Sequence, residues 1–176
     1  VSKKNPTKDL FYAMSHGVNR ATLKRGKSDS RVHFLNSLVK KLNNIDYDFY
    51  GFQNKEPIWG NQFYLALNNS KMGLNLSRGL PTKYYTSNRI ASLMGNGLMT
   101  FVDKKTQLND MFNQNEVVMY NSIDDLSDKI HFYKKNDNLR KKIGSAGRKK
   151  YFKLFNEIKI SNYIINKSLG NLVKLY

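Results

Sequence analysis

SKMGLNLSRGLPTKYYTSNRIASLMGNGLMTFVD, residues 70–103, is the stretch that decides the fold. It holds two short apolar runs, 72–76 and 98–102, each with the length and composition of a buried strand. Between them come a basic loop and a segment with apolar residues at helical spacing, namely Ile90, Leu93 and Met94. The stretch therefore predicts a strand, a loop, a helix and a second strand, which together form one βαβ unit.

The same alternation extends on both sides of this unit. Further strands are predicted at 9–15, 45–50 and 116–120, and the residues that separate successive strands have helical spacing of their apolar positions. The other predicted helices lie within 31–42, 59–70, 106–112 (short), 122–133 and 138–175, the last broken around 144–147 and near 156. Strands that alternate with helices of about ten residues indicate a parallel sheet. The predicted fold class is α/β, a Rossmann-like parallel sheet of about five strands with helices on both faces.

Composition excludes several classes of protein. The 176 residues contain no cysteine and only three histidines, so there is no disulfide framework, no Cys-ligated metal site and no expected cofactor. No apolar run reaches the roughly 18 residues of a membrane-spanning helix, and the polar first ten residues lack the apolar region of a signal peptide. We expect one cytoplasmic domain, and because the chain begins at Val1 we expect it to be part of a longer protein.

The net charge of +17, from 30 basic and 13 acidic side chains, favours a phosphate, nucleic-acid or anionic membrane partner. A second explanation stays open, because Asn, Lys, Ile and Tyr are all abundant and all have A/T-rich codons. The excess is concentrated in residues 131–176, which hold 12 basic and 2 acidic side chains.

Two basic loops follow the first and third predicted strands, where a doubly wound sheet binds its ligands. The second loop leads into a predicted helix that either Thr86 or Ser87 can cap, and the first turn of a helix offers free N–H groups and a positive dipole end to an anion. Arg89 lies in that turn and opposes the dipole, unless it meets a bound anion or pairs with an acidic neighbour. These features predict a diphosphate site at this edge of the sheet.

Other candidate residues have structural explanations. We interpret His16 as a loop histidine instead of a catalytic base, and Asp29 with Arg31 as a pair at the start of a helix. Core packing is predicted for four aromatic residues: Tyr47, Phe49, Tyr50 and Trp59. Phe52, beyond Gly51, is a candidate for stacking on a nucleobase. The sequence has no nucleophile elbow and no Walker A loop.

The segments 70–78 and 88–103 resemble the C-terminal, donor-binding domain of GT-B glycosyltransferases, especially the group 1 branch of spore-maturation-protein-like enzymes. In that branch the helix commonly reads Arg-hydrophobic-x-Glu-Ala-x-Ala-Cys-Gly, and Arg89–Gly97 follows the same frame. Downstream, Ser122–Leu126 matches a Ser-x-Asp-Asp-Leu helix start, and Leu139–Arg148 is similar to the closing Ile-Gly-x-x-Gly-Arg helix. The resemblance covers roughly residues 9–165.

The resemblance implies a metal-independent glycosyltransferase domain that holds a nucleotide-diphosphate sugar, in an enzyme of cell-surface polysaccharide synthesis. It implies residues 1–8 as a lead-in from an N-terminal, acceptor-binding domain missing here, 9–155 as the nucleotide-sugar domain and 156–176 as a C-terminal helix. The implied diphosphate-binding residues are Arg20, Lys24, Arg78, Lys83, Ser87, Asn88 and Arg89. The implied ribose or base contacts are Gly51, Phe52 and Ser92. No catalytic residue is predicted, and this chain alone is expected to be inactive.

One departure from the family pattern concerns its two glutamates, eight residues apart. Their positions are occupied here by Tyr84 and Ser92. Because the second glutamate usually holds the ribose hydroxyls, Ser92 would replace it with a weaker hydrogen bond.

Two other partners stay open. A nucleic-acid-binding module is the alternative function, favoured by nine basic residues in the C-terminal third: Lys134, Lys135, Arg140, Lys141, Lys142, Arg148, Lys149, Lys150 and Lys153. A peripheral contact with an anionic membrane is compatible with the glycosyltransferase reading and would use the same helices.

Overall fold

The computed structural model describes residues 5–15, 29–85 and 87–173. Its sheet is entirely parallel, with the strand order β2-β1-β3-β4-β5. The strands are β1 (Lys8–Ala13), β2 (Tyr47–Tyr50), β3 (Ser70–Asn75), β4 (Met99–Asp103) and β5 (Val118–Tyr120). All five predicted strands and their parallel arrangement are therefore confirmed.

Six α-helices lie in the described part of the chain: α1 (Ser30–Val39), α2 (Gly60–Asn68), α3 (Asn88–Gly95), α4 (Ile123–Lys135), α5 (Asp137–Leu154) and α6 (Glu157–Ser168). The short helix predicted at 106–112 is wrong, because the chain there forms two 3₁₀ turns, Lys104–Thr106 and Leu108–Asp110, joined at Gln107 in the left-handed conformation (φ 53°). None of the described helices has the length and apolar character needed to cross a membrane.

Alternation along the strands sends side chains to two layers. On one face, Leu10 and Tyr12 of β1 join a core with Leu35 and Leu38 of α1 and with buried residues of α4. On the other face, Phe11 packs with Leu67 of α2 and Leu93 of α3. Both faces of the sheet are thus covered, as the near-continuous apolar strands predict.

Helix α5 runs unbroken through residues 144–147, where a break was predicted. Both glycines in this segment let the helix approach the backbone of the sheet. A Cβ built on Gly144 would lie 2.5 Å from the Gly97 carbonyl oxygen, and one on Gly147 would lie 2.2 Å from the Glu116 carbonyl oxygen. These glycines therefore serve close packing and not chain reversal. The second predicted break is confirmed, since Asn156 caps α6 by accepting from the Lys159 amide.

The strand order places one topological switch point at β1, which has β2 on one side and β3 on the other. The connections from β1 and from β3 therefore lead to opposite sides of the sheet, and a crevice opens between their carboxyl ends. The helices α2 and α3 begin at this same edge, so their first turns also border the crevice.

Candidate functional site

The crevice at the switch point is a cavity of about 770 Å³. Its walls are the end of β1 (residues 13–15), the first turn of α2 and the first turn of α3, with Arg78 from the loop after β3. Five predicted site residues line it together: Arg78, Ser87, Asn88, Arg89 and Ser92.

The crevice has a cationic lining. Arg31, Arg78 and Arg89 are among the described residues that form its walls, and none of those residues is Asp or Glu. Arg78 is exposed and makes no ion pair within the described ranges. Because Arg31 pairs with the buried Asp29, the positive charge of this wall comes from Arg78 and Arg89. A concave wall with such charges attracts anions, since its low-dielectric surroundings focus the positive field.

Arg89 joins the ends of the two strands that border the crevice. Its Nε donates to the Ala13 carbonyl (3.2 Å), and its Nη1 donates to the Leu76 carbonyl (2.7 Å). Its guanidinium carbon lies 4.9 Å from the centre of the Tyr12 ring. An acidic neighbour was one predicted partner for Arg89, but the partners found among the described residues are two backbone carbonyls and the face of the Tyr12 ring. Nη2 makes no hydrogen bond within the described part of the chain.

Arg31 and Asp29 form the pair predicted at the start of α1. Asp29 is the N-cap and accepts from the Arg31 amide (3.0 Å), and its Oδ2 lies 2.7 Å from Arg31 Nη2. Both residues are buried. Burial alone would lower the pKa of the Arg31 guanidinium, but the bonds to Asp29, together with the nearby Tyr12, outweigh it and raise that pKa. Arg31 therefore stays protonated, with its charge paired to the Asp29 carboxyl group.

The first turn of α3 faces the crevice with unused hydrogen-bonding groups. Ser87, one of the two predicted N-cap residues, is the N-cap of α3, yet its hydroxyl accepts no hydrogen bond from a backbone amide of the first turn. That hydroxyl oxygen is buried and has no hydrogen-bond partner among the described residues. Helix geometry leaves the amides of the first turn without intrahelical acceptors as well. The Ser92 hydroxyl, by contrast, donates to the Asn88 carbonyl (2.8 Å) within the helix.

An aromatic wall faces these polar groups, and it was missed at the sequence level. Trp59, Phe63, Tyr64 and Tyr85 line the crevice. The core position predicted for Trp59 is wrong: the residue is the N-cap of α2 and is 64% exposed. The segment Pro57-Ile-Trp-Gly60 could have indicated this, because a proline and a glycine flank the tryptophan and mark a loop that leads into a helix.

Three predicted site residues lie away from the crevice lining. Lys83 places its ammonium 4.8 Å from the centre of the neighbouring Tyr84 ring. Gly51 is buried in a turn with φ 74°, where its amide donates to the Lys55 carbonyl. Phe52 is 3% exposed and packs on Phe49, so its ring is not available for stacking on a base. The turn at Gly51 causes this, because it folds the next residue back onto the core.

Two predicted diphosphate ligands, Arg20 and Lys24, and the predicted loop histidine His16 lie outside the described residues. Their roles stay predictions. Within the described ranges, no group of three or more His, Cys, Asp or Glu side chains is placed to hold a metal ion.

The basic C-terminal cluster is partly engaged in the fold. Lys134 pairs with the buried Asp9 (2.7 Å), and Arg140 is buried, pairs with Asp137 and donates to the Lys71 carbonyl. Lys141 also pairs with Asp137 (2.6 Å). Among the remaining members, Lys135 lies at the end of α4 and the others lie along α5. Arg148 of this group places its guanidinium carbon 5.8 Å from the centre of the partly exposed Phe152 ring.

Comparison with solved structures shows similar folds at low identity. The chain is similar to TarM (TM-score 0.64, 15% identity, covering 92% of this chain and 35% of TarM). It is similar to sucrose-phosphate synthase from Thermosynechococcus elongatus (TM-score 0.59, 14% identity, 97% and 46% covered) and to Anabaena HepE in complex with UDP (TM-score 0.55, 13% identity, 80% and 38% covered). The chain thus spans less than half the length of these proteins. No curated protein matches the sequence.

The five-stranded parallel sheet with surrounding helices is the Rossmann-like fold of GT-B glycosyltransferases, as predicted. The spore-maturation branch stays a prediction. Residues 27–160 match the model of the family described as glycosyl transferase-like. That match includes every described element that borders the crevice except β1. Because it covers more than half of the sequence, the chain belongs to the glycosyl transferase-like family.

Proposed function

We propose that this domain is the donor-binding half of a glycosyltransferase and holds a nucleotide-diphosphate sugar in the crevice. The observation that carries the proposal is the pairing of a cationic wall without carboxylates and an aromatic wall in one cavity. A nucleoside diphosphate has the matching chemistry, with two anionic phosphates and a flat base. HepE, one of the similar structures, was solved in complex with UDP.

In this proposal the diphosphate lies between Arg78, Arg89 Nη2 and the first turn of α3. The Ser87 hydroxyl and the free amides would donate to phosphate oxygens, which would give that buried oxygen its partner. The base would stack on the exposed faces of Trp59 and Tyr64. This replaces Phe52, whose ring is covered by protein.

Sugar transfer leaves a nucleoside diphosphate whose negative charge grows as the glycosidic bond breaks. Fixed donors that already point at the phosphates stabilise this charge without reorganisation. Arg78, Arg89 and the α3 amides would supply that stabilisation without a metal. The acceptor and any general base would come from a further domain, so we expect this chain alone to bind a nucleotide and to transfer no sugar.

Calorimetric titration with UDP, GDP, ADP and CDP tests the proposal. Arg78→Gln is the informative variant, because Arg78 is exposed and pairs with no described residue, so its loss leaves the fold intact. We expect one nucleotide to bind and its Kd to rise about tenfold in Arg78→Gln, as for loss of one charged hydrogen bond. Arg148→Gln removes the same charge on α5 and should leave the Kd unchanged. Absence of binding by all four nucleotides would refute the proposal.

The alternative is a nucleic-acid-binding module. The exposed lysines of α5, Lys142, Lys149 and Lys153 among them, are the observation that favours it. Titration with duplex DNA and RNA at stepped salt concentrations distinguishes the two functions. Nucleic-acid binding would weaken steeply with salt and depend on polymer length, whereas mononucleotide binding in the crevice would not.

A further inference from the structure

The loop that follows β3, residues 77–85, supplies two side chains to the crevice, Arg78 and Tyr85. We call this segment the Arg78 loop. It contains no helix or strand, and Leu80 near its middle is 89% exposed. Among the described residues, only one member of the loop makes hydrogen bonds to the rest of the protein, and that member is Tyr84. The position of the loop therefore depends on this residue.

Three contacts hold Tyr84 within the described part of the chain. Its backbone amide donates to the Thr106 carbonyl (2.7 Å), and its hydroxyl donates to Asp110 Oδ2 (2.6 Å). Its ring packs against the buried apolar cluster that contains Leu108. Thr106, Leu108 and Asp110 all belong to the two 3₁₀ turns after β4. Tyr84 thus joins the Arg78 loop to these turns.

The backbone at this junction is strained on both sides. Tyr84 has φ 57°, in the left-handed region that is unfavourable for a bulky aromatic residue. Gln107, between the two 3₁₀ turns, has φ 53°. Such conformations persist only where the surrounding contacts hold them, and they are concentrated at ligand clamps and switch regions. The contacts of Tyr84 therefore maintain this conformation, and loss of one of them favours a move of the loop away from the 3₁₀ turns.

The bond between the Tyr84 hydroxyl and Asp110 can be removed without the other two contacts. It raises the pKa of the Tyr84 hydroxyl, so the hydroxyl stays protonated and donates at neutral pH. A hydrogen bond to a carboxylate is stronger than one between two neutral groups. Tyr84→Phe deletes this bond alone, since the ring still covers the cluster at Leu108 and the amide still faces Thr106.

We propose that Tyr84 is a positioning residue, whose bond to Asp110 fixes the Arg78 loop and thereby places Arg78 and Tyr85 for an anionic ligand in the crevice. Tyr84 itself does not line the crevice, so it acts on the ligand through the loop. This inference rests on the proposed function, because the ligand that would respond to the loop is the nucleoside diphosphate. The fixing of the loop itself is a property of the ligand-free chain and is measured separately.

The first measurement is hydrogen–deuterium exchange without ligand, followed by mass spectrometry of peptides that cover residues 77–85. We expect exchange in these peptides to be about two- to tenfold faster in Tyr84→Phe than in the wild type, the factor for loss of one hydrogen bond in a local opening equilibrium. The thermal midpoint should not change. Tyr163→Phe makes the same substitution on α6, where the hydroxyl makes no hydrogen bond within the described ranges, and should leave exchange in the loop unchanged.

The second measurement is calorimetric titration of the same variants with UDP, GDP, ADP and CDP. We expect the Kd of the nucleotide that binds to rise about two- to tenfold in Tyr84→Phe. Asp110→Ala should have the same effect, and the double variant should bind no more weakly than either single variant, because both substitutions remove one bond. Asp110→Asn removes the same charge as Asp110→Ala but keeps an acceptor oxygen. Its Kd should lie closer to that of the wild type, which separates the bond from the general effect of charge on an anion.

The possible results distinguish this inference from the proposed function. Equal exchange in the loop of the wild type and of Tyr84→Phe would overturn the role of Tyr84, whatever the nucleotides do. Faster exchange together with an unchanged Kd would show that the loop is released without consequence for the ligand, which also overturns the positioning role. Absence of binding by all four nucleotides in the wild type would refute the proposed function and the ligand-positioning role together. The exchange comparison would then still decide whether Tyr84 fixes the loop.

Discussion

Replacing Gly147 with alanine should lower the free energy of unfolding by about 1–2 kcal/mol. The added Cβ would lie 2.2 Å from the Glu116 carbonyl oxygen and 3.3 Å from its carbonyl carbon. Both atoms are backbone, so no side chain can rotate away and α5 must shift. Overpacking of this kind lowers the free energy of unfolding by about 1–3 kcal/mol, whereas the better helix propensity of alanine raises it by at most about 1 kcal/mol.

Gly95→Ala is the matched control, because Gly95 also lies in a helix. Its added Cβ would find its nearest neighbour, the Phe152 ring, at 3.9 Å, which is an ordinary contact. Urea unfolding and thermal unfolding, both followed by circular dichroism, measure the two variants. We expect Gly147→Ala to unfold at a lower urea concentration than the wild type and to have a thermal midpoint about 2–8 °C lower. The stability of Gly95→Ala should match or exceed that of the wild type. Equal stability of the two variants would refute the close backbone contact between α5 and the sheet.

Two further predictions concern charges at opposite ends of the sheet. Burial raises the pKa of the Asp9 carboxyl, but the bonds from Lys134 and Lys71 outweigh it and hold that pKa below its usual value. Asp9→Asn should lower the free energy of unfolding, by less than the roughly 3–5 kcal/mol of a fully buried broken pair because both lysines are partly exposed. This loss of stability should be constant above about pH 5 and shrink below about pH 4, where the wild-type carboxylate loses its charge. Urea unfolding at stepped pH measures the loss, and a loss unchanged at pH 2 would contradict the ion pairs. Arg89→Lys keeps the charge but cannot bridge both strand-end carbonyls, so nucleotide affinity and thermal midpoint should both fall. Retention of wild-type affinity in a calorimetric titration would show that Arg89 acts only as a charge.

The strands and the main helix faces could be predicted from the sequence because their burial follows a simple period. Leu35 and Leu38 in α1, and Leu93 and Met94 in α3, are all buried as the spacing predicts. Both elements lie on a sheet that covers them along their length. Local pattern and tertiary environment agree there, and that agreement is what makes a local prediction succeed.

The failures occur where the local pattern has two physical meanings. A glycine in a helical pattern either ends the helix or permits close packing, and only the position of the neighbouring backbone decides between them. For Gly144 that neighbour is the Gly97 carbonyl, 47 positions away in the sequence. Trp59 is ambiguous in the same way, because its spacing from Phe63 and Ala66 continues a helical apolar face, yet it lies at the N-cap of α2 and is 64% exposed. Phe52 was a candidate for stacking on a nucleobase because it lies beyond Gly51, yet the turn at Gly51 returns it to the core.

The net charge of +17 is a weaker guide to function than its distribution. In the C-terminal third, where the excess is greatest, Lys134 and Arg140 have structural carboxylate partners and much of the remainder is spread over exposed helix surface. The crevice has fewer cations, but they lie in a concave wall without a single acidic lining residue among those described. Since the attraction of an anion depends on local field and desolvation more than on total charge, this small group of arginines is the stronger functional signal.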